Sequence, residues 1–471
     1  MQSVEQTRLR ASHPGRLVPE DASAAAAPYR GRMGFGFGTR FFVLFLMGLL
    51  WLAPAWWEPR FYAALALWDA LVLVAWAFDF ARLPQPGRLE LRRSWTSPAS
   101  FGMPSRVTLS LTNRGASVVL AEAVDDVPLA LAPAPPILEY RAGPGATLEQ
   151  TYEIQPVERG DATLGGVFLR YQSPLRIAER WAAADLSQTV RVYPSLEDAG
   201  RQNLFLIRNR QAELQRRLKR QRGLGRDFES LREHREGDEW RDICWTATAR
   251  RAHLVTKVYQ VERSQVVWLV VDAGRLMRAR VGVPSKLDCA VNAALSLAHV
   301  ALASGDRVGL LAYGRRIQQQ RLAPGRGTAH LRAMADRLAL VAAESSEADH
   351  GRAAEVLLGA QKRRSLIIWL TDLSETPATP DVVENALQMS GRHLVLFGLM
   401  AQPELAAVAS ENPENVGEMY RHVAALEITH RRDLLMRRMR QQGVLAVELD
   451  PRHLSTALIN HYLEIKERNM L

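Results

Sequence analysis

The stretch Gln265–Asp272, QVVWLVVD, sets six apolar residues in a row between an amide and a carboxylate. A run this short and this rich in β-branched and aromatic side chains suits a strand buried on both faces. Four more runs of the same kind follow, at Arg307–Tyr313, Ser365–Thr371, His393–Leu399 and Val444–Leu449. Helical periodicity fills the intervals at Lys286–Ala303, Thr328–Val341, Pro380–Met389 and Arg421–Arg438, and again at His453–Glu467. Strand–helix alternation predicts a doubly wound α/β domain with a parallel sheet and right-handed crossovers. Such sheets bind ligands outside the carboxyl ends of their strands. Asp272 closes the first run and Asp372 follows the third, so these two carboxylates head the candidates for a site.

Upstream lies Phe228–Arg251, FESLREHREGDEWRDICWTATARR. Its apolar residues recur every three to four positions, which places them on one helical face. Asp238, after Gly237, is placed to cap a helix starting at Glu239. Arginines and carboxylates alternate closely here, which suits either a self-satisfied charged surface or a contact built around tryptophan. The domain is therefore expected to span 227–471, signature segment included.

Between 83 and 199 the texture is that of short alternating strands, such as Val107–Thr112 and Thr147–Ile154, with Gly- and Pro-rich turns. That pattern predicts a β-sandwich. Residues 200–226 form a basic linker; within 201–226 there are nine basic residues and one acidic one. It reads as a solvated linker helix, an anionic-lipid contact or a contact to an acidic protein face.

Two apolar runs, Phe41–Trp57 and Phe61–Ala81, are separated by Glu58-Pro59-Arg60. The first spans only about 26 Å as a helix. Two in tandem, edged by tryptophans, predict a transmembrane hairpin over 41–82. Arginines cluster on both outer flanks, which places the termini and soluble domains in the cytosol. Asp69 falls inside the second run, as a polar contact to the first helix or a partner, or as a protonated or snorkelled side chain. Asp79 lies nearer the interface. Residues 1–40 read as a mobile polar tail.

The bulk numbers fit several domains rather than one. The formal net charge is +10, yet only five of the 60 basic residues are Lys, so arginine richness reflects composition rather than a nucleic-acid footprint. Cys244 and Cys289 stand far apart, without metal-ligand spacing. Phosphate-loop, zincin and nucleophile-elbow motifs are absent from the sequence.

The pattern Phe228-x-x-Leu231-Arg232, Gly237-Asp238, Arg241-Asp242-Ile243-x-Trp245 and Ala249-Arg250 resembles the signature of a bacterial family known as domain of unknown function 58. One position departs from it, since His234 stands where an aromatic is expected. The ending His461–Lys466 also resembles the family's, which extends the likeness over most of the chain. The resemblance implies a membrane-tethered, von Willebrand factor A-like protein of the bacterial inner membrane, paired with a MoxR-type AAA+ ATPase. It further implies a metal-ion-dependent adhesion site for Mg²⁺ at Asp272, Asp372 and Thr328, although Gly274 and Leu276 replace the two serines that follow the first carboxylate. The reading that results is a non-catalytic, chaperone-like interaction protein acting with that ATPase on a client. Leu231, Arg232, Gly237, Asp238, Arg241, Trp245 and Arg250 form its docking or interdomain segment. The alternative is a metal-dependent ligand-binding protein or hydrolase built on Asp272 and Asp372.

Overall fold

The computed structural model describes residues 18–29, 34–195, 227–235, 238, 240–260, 265–373, 379–468 and 470. The chain is mixed α/β and divides into two units, Met1–Tyr193 and Pro194–Leu471. The basic segment 201–226 lies outside the described residues.

Fifteen regular elements build the first unit: β1 (Ala22–Ala25), β2 (Ala27–Pro28), β3 (Phe35–Phe37), α1 (Thr39–Gly48), α2 (Leu52–Ala55), α3 (Phe61–Arg82), β4 (Leu89–Trp95), β5 (Ser105–Asn113), β6 (Val119–Asp125), β7 (Ile137–Ala142), β8 (Thr147–Ile154), β9 (Gly160–Leu164), β10 (Val167–Gln172), β11 (Ala178–Ala184) and β12 (Gln188–Val192). One antiparallel sheet runs β1-β4-β5-β8, and a second runs β2-β11-β10-β6-β7 with β3 also on β11. Alternate residues of β4, β5 and β6 point inward, so a single apolar core, including Leu91, Leu109 and Tyr171, fills the interior. Within it Arg93 and Asp125 are fully buried and paired, with the Tyr152 hydroxyl donating to Asp125 at 2.6 Å. A buried pair is tolerable only when its remaining polar atoms are satisfied. Here Arg93 also donates to the carbonyls of Leu186 and Gly165.

The expected polar tail is corrected in part. Residues 22–37 supply three strands to the two sheets rather than trailing from them. The glycines of Gly34-Phe-Gly-Phe-Gly explain why the register is possible. A Cβ on Gly38 would sit 2.2 Å from the Arg176 carbonyl oxygen, and one on Gly36 would sit 2.7 Å from Glu179. Only glycine allows that approach.

Helix α3 is long and apolar enough to cross a membrane by length and composition, with Arg60–Arg82 having mean hydropathy 1.9 and 6% of the window buried. The apolar helical stretch Thr39–Ala55 is shorter. The two pack where Trp68 donates its indole N–H to the Leu44 carbonyl at 2.8 Å. Asp69 faces α1, its Oδ1 lying 2.9 Å from where a Cβ of Gly48 would stand, and among the described residues none donates a hydrogen bond to that oxygen. Asp79 is 1% exposed and ties the end of α3 to the sandwich. It accepts from the Ser173 hydroxyl at 2.6 Å and from the amides of Ile177 and Ala178 at 3.3 and 2.9 Å.

The second unit is organised on a six-stranded sheet of β15 (Val266–Asp272), β16 (Arg307–Tyr313), β17 (Leu322–Gly325), β18 (Leu366–Thr371), β19 (Leu394–Met400) and β20 (Leu445–Leu449). Its order is β17-β16-β15-β18-β19-β20, parallel throughout except for β17. Successive β15 side chains enter different cores: Val267, Leu269 and Val271 one, Trp268 and Val270 the other. Helices α5 (Lys286–Ala303), α6 (Gly327–Ala339) and α11 (Leu454–Glu467) contribute to the first, and α7 (His350–Ala360), α8 (Thr379–Ser390) and α10 (Val416–Gln441) to the second. Sequence alternation and structure thus agree on a sheet covered on both faces. The short helix Pro403–Ser410, α9, precedes α10. Helix α5 meets the same length and composition measure as α3, but 72% of it is buried and it serves as a core helix.

Replacing Asp79 by Ala would leave the Ser173 hydroxyl and two amides without an acceptor in a dry site. Chemical unfolding of the purified chain should report a loss of about 2–4 kcal/mol; an unchanged midpoint would show that the carboxylate does not hold α3 to the sandwich.

Candidate functional site

Two places in the second unit gather the candidate residues. The first is the signature segment, which is not the helical face its spacing suggested. Asp227–Glu233 is a strand, β13, paired antiparallel with β14 (Val255–Gln260). A 3-10 turn at Trp240–Asp242 and helix α4 (Trp245–Arg251) connect them. The three-residue spacing of Phe228 and Leu231 belongs to a strand whose register shifts between Phe228 and Ser230.

Asp238 precedes Glu239, where a helix was expected to begin and which lies outside the described residues; a 3-10 turn follows at Trp240–Asp242. The Asp238 carboxylate is taken up locally, accepting from Arg232 at 2.6 Å and from the Arg235 amide at 3.0 Å. The Arg232 bond, followed by the Arg235 amide, lowers its pKa to about 2. Gly237 lies outside the described residues, and Leu231 is half-buried. Ile243 is the buried anchor, bridging to Thr256, while the Cys244 amide donates to the Val255 carbonyl. His234 takes the place where an aromatic was expected and behaves as one. Its ring stands 5.8 Å from that of Trp240, and its Nδ1 lies 2.9 Å from the Thr256 hydroxyl. The two tryptophans are not buried: Trp240 is 70% exposed and Trp245 63% exposed, with Arg241 and Arg250 also at the surface.

The second place is the carboxyl end of the sheet. Parallel register puts Asp272 at the end of β15, beside Tyr313 of β16, and Asp372 directly after β18. Both are 2% exposed. Asp272 Oδ1 accepts from the Gly274 amide at 2.7 Å and Oδ2 from the Thr371 hydroxyl at 2.5 Å. Burial pushes its pKa up to about 7, against the pull of those two bonds, with Asp372 and Glu344 adding to the rise. Asp372 has the opposite surroundings. Lys286 Nζ lies 2.5 Å from its Oδ2 and Arg432 Nη1 2.8 Å from its Oδ1, while the Gln402 amide donates to both oxygens. Arg432 also reaches the Met400 and Leu373 carbonyls and Glu448. Behind Asp272, the Trp369 indole donates to the Tyr313 hydroxyl at 2.6 Å, which lies 2.8 Å from His350 Nδ1. Burial lowers the pKa of His350 to about 4.

Thr328 does not join this group. Gly325 pairs with Val308, at the amino end of β16, and Thr328 follows on the exposed first turn of α6. Along β16 the two ends stand roughly 17 Å apart, so the loose match of Thr328 to an adhesion-site threonine fails on geometry. The remaining residues do not fit Mg²⁺ either. A hard dication requires ionised oxygen ligands with free lone pairs. Asp372 already binds an ammonium and a guanidinium, and Asp272 is held toward its protonated form. Sequence reading missed Lys286, Gln402 and Arg432. One signal was available: Lys286 is among only five lysines in an arginine-rich chain, and it sits at the first turn of α5, behind a Ser285–Asp288 capping box.

Residues 230–415 match the model of a family described as "Protein of unknown function DUF58". This supports the resemblance over the signature, the five sheet strands β15–β19 and α9. It stops short of the wider cover expected, since α10, β20 and the ending His461–Lys466 fall outside. That ending has a structural reason of its own. The Tyr462 hydroxyl and Lys466 both reach the buried Asp306, at 2.5 and 2.8 Å. No curated protein matches the chain. Partial likeness to solved structures includes proximal thread matrix protein 1 from the mussel byssus, at 10% identity and TM-score 0.28 over 42% of this chain and 46% of that one. It also includes an uncharacterised membrane-spanning protein from Vibrio fischeri, at 13% and 0.16 over 43% and 96%. A third is β-glucosidase 3B from Thermotoga neapolitana, at 18% and 0.10 over 21% and 16%. At these scores none bears on fold or function.

Removing the Asp372 carboxylate would strand two buried cations. Asp372→Ala should cost about 3–5 kcal/mol in chemical unfolding of the purified chain, and added Mg²⁺ should leave the wild-type melting temperature unchanged. Asp272 contributes in the reverse sense to pH. Its folded-state pKa lies above the unfolded value, so its share of stability is complete below pH 3.8 and is lost as pH rises to about 7. The slope is at most about 1.4 kcal/mol per pH unit. Urea titrations between pH 4.5 and 8 should show this slope in wild type and a flatter one in Asp272→Asn; parallel slopes would assign the pH dependence elsewhere.

Proposed function

We propose that this chain is a membrane-anchored, non-catalytic interaction protein, whose α/β unit docks a MoxR-type AAA+ ATPase and thereby serves a client. In this reading α1 to α3 form the anchoring hairpin in a bacterial inner membrane. The arginines flanking it put both termini and the soluble units in the cytosol. Hydrolysis of ATP belongs to the partner.

The observation that carries the reading is the exposure of Trp240 and Trp245 beside Arg241 and Arg250. Tryptophan and arginine are the side chains most enriched where proteins make energetic contacts. The turn and the helix that present these residues are pinned by Ile243 and by the Arg232–Asp238 pair, so the surface is held in one shape before any partner arrives. Arg232, Asp238 and Leu231 thus support the docking face, and Trp245, Arg241 and Arg250 make it. A further support is negative in character. The strand ends where ligands usually bind in such sheets are filled by an internal ion cluster, which leaves the outer surface to carry activity. The competing metal-dependent hydrolase would need the Asp272 and Asp372 oxygens that this cluster consumes.

Trp240→Ala with Trp245→Ala should abolish co-purification of a nucleotide-loaded AAA+ ATPase from membranes while leaving the melting temperature within about 2 °C, since exposed positions change stability little. Lost stability without lost binding would instead make the segment an interdomain staple.

A further inference from the structure

Helix α10 (Val416–Gln441) carries exposed apolar residues on the side away from its buried ones. Its buried residues Ala425, Arg432, Met436 and Met439 share one face at about 100° per residue. The opposite face carries Val416, Tyr420, Val423 and Leu434, all exposed, the first two at 72% and 74%. Met419 and Leu426, also exposed, widen the stripe on one flank. A helix normally turns its apolar stripe to the core. Here the exposed apolar residues run from Val416 to Leu434, about 27 Å, with Glu427 and His430 between them, and such a surface marks an interaction face.

The order of residues along this stripe indicates what covers it. Laid antiparallel against a second copy about a twofold axis near Thr429, Val423 meets Leu434 of the other copy, so that apolar side chains cover each other at both ends. On one edge of the stripe lie Tyr420, Glu427, Arg431 and Arg438. In the same register Glu427 meets Arg431, and Tyr420 meets Arg438, a ring opposite a guanidinium. Within one chain Arg431 Nε already lies 2.6 Å from Glu427 Oε1. The twofold therefore joins two such pairs into a four-membered network, which is worth more than isolated surface pairs. Antiparallel packing also opposes the helix dipoles. A face whose Glu427 and Arg431 answer each other when it is rotated onto itself suits an isologous contact. An anionic bilayer fits it less well, since the exposed Glu414 and Glu427 would face the lipid.

We infer that the outer face of α10 is a homodimer contact, with an identical α10 as its occupant and Val423–Leu434, Glu427–Arg431 and Tyr420–Arg438 as its cross-copy pairs. The inference does not depend on the ATPase reading, and it concerns residues beyond the family match. The test uses the purified full-length chain in detergent. Mild oxidation of the double variant Val423→Cys with Leu434→Cys should give a disulfide-linked dimer, at least tenfold more than either single variant or wild type; the two positions lie too far apart on one helix to join in cis. By light scattering, Glu427→Arg and Arg431→Glu should each weaken the dimer at least tenfold, and the combined swap should restore it. A chain that is monomeric at all concentrations would overturn the inference. So would a dimer indifferent to the charge reversals, cross-links to another protein only, or protection of the engineered cysteines by anionic vesicles instead of by a second copy.

Discussion

The α/β unit depends on one buried carboxylate. Asp372 draws Lys286 from the start of α5, Gln402 from the loop before α9, and Arg432 from the middle of α10 onto the end of β18. Arg432 continues to the Met400 carbonyl at the end of β19 and to Glu448 of β20. Elements from both sides of the sheet are thus fixed by one charge. Such a cluster is not a source of net stability, because desolvating three ions costs about as much as their attraction returns. Its effect is positional. Any shift of α5 or α10 would uncover a cation in a dry site, so each helix has one depth and one rotation. For α10 that rotation directs the opposite face, with Val416, Tyr420 and Val423, away from the body.

Next to it, Asp272 shows how strongly local surroundings decide a carboxylate's state. The two side chains end the neighbouring strands β15 and β18 and are equally buried. Asp372 lies among cations, whereas Asp272, offered only a hydroxyl and an amide, is pushed toward neutrality by its burial. A pair with these opposed environments forms an asymmetric closure of the strand ends rather than a chelate. The substitutions seen in the sequence agree with this. Where an adhesion-type site supplies hydroxyls, this chain has Gly274 and Leu276, and the space against Gly274 is filled by Ala348, 2.9 Å from where a Cβ would stand.

The sheet was legible in the sequence because long-range order there follows a local pattern. Each buried strand is a run of apolar residues and each helix a period of about four, so β15, β16, β18, β19 and β20 fall within a residue or two of the runs that announced them. The sandwich was legible for the same reason in period two. The elements β17, α7 and α9 were not read at all, and three further features have a physical reason for being missed. The strand β13 carries the spacing of a helix, because Phe228, Leu231 and their neighbours pair with β14 some 20 or more positions later, and no local period reports a partner at that distance. The strands β1 to β3 are too short and too small in side chain to stand out from a tail. Only the two glycines that let β3 approach Arg176 and Glu179 marked the site. The cations at Asp372 come from Lys286 and Arg432, 86 positions before it and 60 after, and two residues brought together by a fold leave no trace in spacing.

These limits have a functional side. Asp272 and Asp372 stand at the strand ends, where open sheets usually keep their ligands. Their partners convert that place from a ligand site into an internal clasp. What remains exposed is at the periphery: the tryptophans of the β13–β14 segment, which Ile243 and the Arg232–Asp238 pair hold, and the outward stripe of α10, which the clasp sets through Arg432. Rigid apolar surface left in water carries a free-energy cost of roughly 25 cal/mol per Å², which the chain would shed by replacing those residues with polar ones. Both surfaces have arginine alongside, and the docking and dimer contacts proposed above would cover them. The sheet therefore acts as a frame whose interior chemistry is complete, and the open valences of the molecule are on its outside.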